Sequence, residues 1–156
     1  MDQTAFSDLY KRTSRSLWSY VYRVTGNAAD ADDIVQDAFC RLLRGGPDAD
    51  EEQLRRYVFR IASHLVVDRW RRQKRDHDSA RQHVPLPLAS DTPEHEAVAR
   101  TFARLTPRER ALLWLAYVEG QSHQEIAGTL GLARQSVKVL LFRARRRLRD
   151  LLASAE

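Results

Sequence analysis

The richest chemistry in this 156-residue chain belongs to its arginines. Of 26 basic side chains only Lys11, Lys74 and Lys138 are lysines. The guanidinium fork meets two acceptors at once, which suits phosphate oxygens and guanine edges, whereas an ammonium is a point charge. Arg134, Gln135, Ser136 and Lys138 open one segment, with Val139 beside them and Arg143 one turn further. Arginine and glutamine have the bidentate geometry for guanine and adenine edges, and serine and lysine suit phosphates or bases. The run Arg143, Arg145, Arg146, Arg147, Arg149 adds phosphate clamps and partners for the negative end of a helix. A second cluster, Arg55, Arg56, Arg60, Arg69, Arg71, Arg72, Lys74 and Arg75, has Asp68 as its only interspersed acid. Immediately before it, residues 30–52 hold eight acids against Arg41 and Arg44. One face can therefore meet a basic protein while another meets a polyanion.

Other chemistry is absent from the pattern. The histidines His64, His77, His83, His95 and His123 are scattered, with no HExxH, no phosphate-binding glycine loop and no nucleophile elbow. No catalytic residue, metal site, cofactor or small-molecule substrate is expected. Cys40 is the only cysteine, which rules out an intramolecular disulfide or a Cys-rich zinc site, and its apolar surroundings predict a packing residue. The longest apolar stretch, Ala111 to Val118, is far short of the roughly 20 residues that span a bilayer. Met1-Asp2-Gln3 has no basic region leading into an apolar one, so a cytoplasmic protein without membrane insertion is expected. The net charge of +5 is unevenly spread: residues 1–72 are near neutral, and residues 101–156 hold ten bases against five acids.

The elements that must carry these residues read as helical throughout. Hydrophobic residues make up 43% of the chain, enough for small cores. Phe6, Leu9, Tyr10, Leu17, Tyr20, Val21 and Val24 keep the 3.6 period of a helix from about Thr4 to Val24, ended by Gly26. Asn27 caps a second helix through Ile34, Val35, Ala38, Phe39, Leu42 and Leu43, stopped by Gly45-Gly46-Pro47. A third, from about Asp50, has Leu54, Val58, Ile61, Ala62, Leu65 and Val66 on one face and Arg55, Arg56, Arg60, Ser63, His64 and Arg71 largely on the other. From Gln73 to about Glu94 the pattern dissolves, with Pro85, Pro87 and Pro93 marking a linker. Thr106-Pro107-Arg108-Glu109 and Ser122-His123-Gln124-Glu125 are two capping boxes. The first helix that follows ends at Gly120; the second, with Ile126, Ala127 and Leu130, turns at Gly131 into a helix with Val137, Leu140, Leu141 and Ala144 inward. That is helix-turn-helix spacing, and it places Arg134 to Lys138 at the start of a groove-reading helix. The expected fold is all-α, two small helical domains: residues 1–75, a linker over 76–98, and residues 99–156.

Four co-linear segments carry a resemblance: Asp30 to Leu43, Leu54 to Arg72, Leu105 to Arg110 and Leu132 to Leu148. They resemble the extracytoplasmic-function (ECF) sigma factors of bacterial RNA polymerase. The resemblance implies a two-domain initiation factor whose partners are core polymerase (β and β′ subunits), promoter DNA and an anti-sigma factor. It implies that Asp32, Asp33, Gln36 and Asp37 dock on the basic β′ coiled coil, with Ile34 and Phe39 more of the core. It implies that Arg56, Arg60, His64, Arg69, Arg71, Arg72, Lys74 and Arg75 form the cationic track that recognises and melts the minus-10 element. Trp70 is weighed there between stacking on a base and packing, and Asp68 is expected to partner a neighbouring arginine. The helix-turn-helix would read the minus-35 element through Arg134, Gln135, Ser136, Lys138, Val139 and Arg143. Two departures stand out: the family commonly has asparagine where His64 stands, and polar groups where Val139 and Leu140 stand. The competing reading is a stand-alone dimeric helix-turn-helix regulator, which leaves the acidic face and the arginine-rich third helix without a job.

Overall fold

A computed structural model describes residues 1–76 and 93–154, in seven helices and, among the described residues, no strand. They are α1 (Gln3–Thr25), α2 (Ala28–Gly45), α3 (Glu51–Asp76), α4 (Pro93–Ala103), α5 (Pro107–Tyr117), α6 (His123–Leu130) and α7 (Arg134–Ser154). No described helix is long and apolar enough to cross a membrane.

Helices α1, α2 and α3 pack pairwise into a first unit. Asp2 accepts from the Ala5 N–H to start α1, and Asn27 accepts from the Asp30 N–H to start α2. Between them Gly26 takes φ 70°, a left-handed conformation that costs a side chain about 1–2 kcal/mol. The core is made by Leu17, Tyr20, Val21, Ile34, Ala38, Leu42, Val58, Phe59 and Ala62, all essentially inaccessible. One polar pair lies inside it: the Tyr20 and Ser63 hydroxyls are 2.8 Å apart and buried. Ser63 was expected on the solvent face of the third helix. It falls instead on the buried stripe Phe59, Ala62, Ser63, Val66, and the Tyr20 hydroxyl on α1 removes the cost of burying it.

Cys40 is also a correction, for it is exposed rather than packed. The buried stripe of α2 is Ala31, Ile34, Val35, Ala38, Phe39 and Leu42, and at 100° per residue Cys40 lies about 200° beyond Ala38, on the opposite face. Leu43 is exposed for the same reason.

Helices α4 to α7 form the second unit. Both capping boxes are present in full: Thr106 with Glu109 opens α5, and Ser122 with Glu125 opens α6. Gly131, at φ 68°, ends α6 in the left-handed region and turns the chain into α7. Leu112, Leu115, Ile126, Val137, Leu141 and Ala144 fill the space between α5, α6 and α7. The ends of the expected linker differ from the sequence reading. Helix α3 continues to Asp76, and α4 starts at Pro93 and packs against α7; the sequence Thr92-Pro93 repeats the threonine and proline of the α5 start, lacking only its glutamate. The rest of that linker lies outside the described residues.

The two units touch. Helix α1 packs on α5, and α3 packs on α6.

Candidate functional site

Three surfaces carry the candidate residues. On α2 the residues Asp33, Gln36, Asp37, Cys40 and Leu43 recur at helical spacing along the outward face. Asp33 and Gln36 are exposed. Asp37 accepts a 3.1 Å bond from Arg41 one turn on, and Asp32 accepts a 2.7 Å bond from the Trp18 indole N–H on α1. The result is an acidic face with exposed apolar atoms from Leu43. Leu43 was missed as a surface residue, although the spacing from Asp33 was there to find it.

On α3 the cations do not share one surface. Arg56, Arg60, His64, Arg71, Lys74 and Arg75 lie within about 100° of arc, a single exposed stripe. Arg72 is exposed beside it. Arg69 lies about 180° from Arg60 and pairs at 2.8 Å with Asp30 of α2, where both are largely covered. It fastens α3 to α2. Asp68 makes no ion pair among the described residues, so the arginine partner expected for it is not there; the acid that does this is Asp30. Trp70 is 38% exposed, and the Lys74 ammonium stands 5.0 Å from its ring centroid. That geometry is a cation on one side of an accessible π-face, suited to stacking an unpaired base.

The base of the α3 stripe is occupied. Arg56 pairs at 2.9 Å with Glu52 on its own helix and at 2.9 Å with Glu125 on α6. Arg55 pairs with Glu119 at 2.5 Å, and its guanidinium lies 5.0 Å from the Phe59 ring centroid. Glu52, Arg55, Arg56, Phe59, Glu119, Gly120, Gln121 and Glu125 line a cleft of about 140 Å³ between the units. Two electrostatic consequences follow. The Ser122 backbone N–H and hydroxyl bonds, with Arg56 nearby, hold the Glu125 carboxyl below the usual range. Burial, aided by the Glu119 charge, pushes the Tyr20 hydroxyl far up, so it stays protonated.

On α7 the pattern is reversed. Arg134, Gln135, Ser136, Lys138, Val139 and Arg143 are all exposed, and none makes a side-chain hydrogen bond or ion pair among the described residues. Arg134, Gln135 and Lys138 share one face with Phe142, Arg145 and Arg149, whereas Ser136 and Arg143 lie on its flank. Phe142, 56% exposed, was missed; it sits four residues past Lys138 and seven past Gln135. Arg145 donates at 2.9 Å to the Tyr117 hydroxyl of α5, which orients the middle of that face.

On α5 Arg110 is buried, and no described acid pairs with it; its Nε has no hydrogen-bond partner, nor has the Trp114 indole N–H one turn on. Burial lowers the Arg110 guanidinium to about 10. Among the described residues no cluster of three or more His, Cys, Asp or Glu could hold a metal ion.

The geometry agrees with comparisons to known proteins. Residues 9–76 match Sigma-70 region 2 and residues 95–148 match Sigma-70 region 4. The chain is 34% identical to the ECF RNA polymerase sigma factor SigM of Mycobacterium tuberculosis, covering 97% of this chain and 79% of that one. It is 32% identical to the RNA polymerase sigma factor NccH of Alcaligenes xylosoxydans, covering 99% and 90%. Against SigE of Mycolicibacterium smegmatis identity is 29%, and the chain spans 64% of that relative's length. Among solved structures, CnrH in complex with the cytosolic domain of CnrY superposes with a TM-score of 0.71 at 28% identity, over 99% of this chain and 92% of that one. The sigma factor RpoE in complex with the anti-sigma factor NepR from Bartonella quintana gives a TM-score of 0.75 at 19% identity, over 95% and 96%, which speaks for the fold. With both sigma-70 regions in order on one all-helical chain, the protein belongs to the ECF sigma factors of RNA polymerase.

Proposed function

We propose that this chain binds core RNA polymerase and directs promoter-specific initiation, with α2 docking on the enzyme, α3 opening the minus-10 element and α7 reading the minus-35 element. Residues 1–75 would form the first functional unit, 76–98 the connection and 99–156 the second. Nucleotide addition stays with the core enzyme, so no residue of this chain needs to be catalytic. The supporting observation is the sequence of three unlike surfaces: an acidic α2 face at Asp33, Gln36 and Asp37, a cationic α3 stripe, and an uncommitted α7 face. A stand-alone dimeric regulator would use the third and leave the first two idle.

In this reading Arg60, His64, Arg71, Arg72, Lys74 and Arg75 guide the displaced strand while Trp70 stacks on a base. Arg56 joins them once it is freed from its glutamates. Arg134 and Gln135 supply base contacts, Ser136, Lys138 and Arg143 hold phosphates or bases, and Val139 and Phe142 offer apolar contact to thymine methyls. An anti-sigma factor, as in the Bartonella relative, is the expected regulatory partner.

In vitro transcription with purified core polymerase and a pool of random promoters is the test. Specific initiation from a subset of templates is expected, with weak duplex binding by the free chain. Tight, two-fold-symmetric duplex binding without polymerase would overturn the reading. Reversing charge at Asp33 and Asp37 should abolish co-purification with core while leaving helicity unchanged; retained co-purification would remove α2 from the docking role.

A further inference from the structure

The arginines of α7 are not held alike. Arg147 meets Glu109 at 3.5 Å, which neutralises part of its charge at the first turn of α5. Arg145 is held by a neutral group instead: its guanidinium donates at 2.9 Å to the hydroxyl oxygen of Tyr117, the last residue of α5. An acid at position 117 would orient that guanidinium equally well but cancel it, as Glu119, two residues on, does to Arg55. A phenol orients it and leaves the positive charge in place.

The donors and acceptors of this pair leave one proton that must point outward. A guanidinium has no lone pair to accept with, so the Tyr117 O–H cannot donate to Arg145. No other described residue accepts it. Tyr117 is 61% exposed, and Arg145 is exposed beside it. A phenol oxygen that accepts from a cation is polarised into a better donor. Side by side, from two different helices, the pair therefore offers one O–H and the remaining N–H groups of an uncancelled guanidinium, which is what a phosphate oxyanion accepts from.

Position along the helix says which phosphate. Arg145 lies seven residues past Lys138 on the same face, about 10 Å further along the axis at 1.5 Å per residue. The major groove is about 12 Å wide. When Arg134 to Lys138 stand over base edges, a group that far along the helix has reached the wall of the groove, where the sugar–phosphate backbone runs.

We propose that Tyr117 and Arg145 clamp one backbone phosphate at the edge of the minus-35 element, extending the DNA contact from α7 to α5. The proposal rests on the reading of α7 as the helix that reads duplex. The clamp is blind to sequence: it fixes the register of α7 in the groove and leaves the choice of bases to the residues before it.

Fluorescence anisotropy of the full chain on random-sequence duplex at low salt reads the clamp, since a phosphate contact is present on any duplex. Tyr117→Phe removes one hydroxyl and no charge, so binding should weaken about three- to fivefold with the salt slope unchanged. Arg145→Ala should weaken it about tenfold and lower the salt slope by about 1. In the Arg145→Ala background Tyr117→Phe should cost under about twofold, because both groups act on one phosphate. A second measurement needs no variant: in the polymerase complex, on a promoter recovered from the random pool, phosphates are replaced singly by neutral methylphosphonate. One position at the edge of the minus-35 element should weaken the wild-type chain. Tyr117→Phe binding like wild type, a loss that varies with base sequence, full additivity of the two substitutions, or no sensitive phosphate at that edge would each overturn the clamp. Failure of the sigma reading would appear separately, as no template favoured by polymerase with this chain beside an intact response on random duplex.

Discussion

Helices α3 and α7 are both arginine-rich, yet the fold treats their charges in opposite ways. On α3 Arg55, Arg56 and Arg69 are each engaged with an acid brought by another helix: Glu119, Glu125 and Asp30. On α7 the residues from Arg134 to Arg143 have no such partner among the described residues. The number of basic residues is thus a poor guide to available positive charge. What matters is which of them the tertiary structure leaves unpaired. A helix that reads duplex can be displayed at all times, because non-specific duplex binding is weak and reversible.

The comparison predicts unequal responses. The largest effect is expected at the open helix: Arg134→Ala or Gln135→Ala should cost about 1–3 kcal/mol of minus-35 binding and relax preference at one base position. A uniform loss over all sequences, seen in competition against randomised duplexes, would make the contact a phosphate contact.

The next test lies on α5. Arg110 is buried with no described acid to pair it, so its desolvation is uncompensated, and an apolar group of similar volume removes that cost. Arg110→Met should therefore raise the denaturation midpoint. A fall would mean that the guanidinium's apolar stem, rather than its charge, dominates at this site.

A smaller effect belongs to α3. Arg56→Ala should leave free-chain binding to minus-35 duplex unchanged, while in the polymerase complex it should reduce the salt slope of minus-10 binding by about 1. An equal loss in both assays would make Arg56 a structural residue of the interdomain contact alone.

The mildest is a pH effect. The Glu125 carboxyl is held below its unfolded value by the Ser122 bonds and by Arg56. Its stabilisation is complete above the unfolded carboxylate value of about 4.3 and is lost as pH falls through the lower folded value. Helicity of the second unit should weaken in that acid window, and Glu125→Gln should flatten the response measured by circular dichroism.

Much of this layout was legible beforehand for a physical reason: helix punctuation and periodicity are local. Both capping boxes, the turn at Gly131 and the inward stripe from Val137 to Ala144 depend on residues within one or two turns of each other. The exposed chemistry of α7 follows directly, since whatever is off that stripe and unpaired faces solvent. Misreadings arose where a residue's neighbours come from another helix. Ser63 looked exposed because it is polar, but Tyr20 supplies its partner from α1. Cys40 and Leu43 looked buried because they are apolar, but they lie past the edge of the stripe that α1 and α3 cover. Helix α4 was missed although Thr92-Pro93 repeats the Thr106-Pro107 start, because the proline-marked segment before it reads as linker; the helix packs on α7.

The sequence alone therefore settled every helix but α4, their order, the helix-turn-helix and the two clusters of cations, because each rests on spacing along a single chain segment. Only the tertiary structure decided which cations are available, that Arg69 is a fastener, and that Glu119 and Glu125 meet Arg55 and Arg56 across the cleft. An ion pair between residues about sixty positions apart leaves no periodic trace, since either partner alone reads as an ordinary solvated charge.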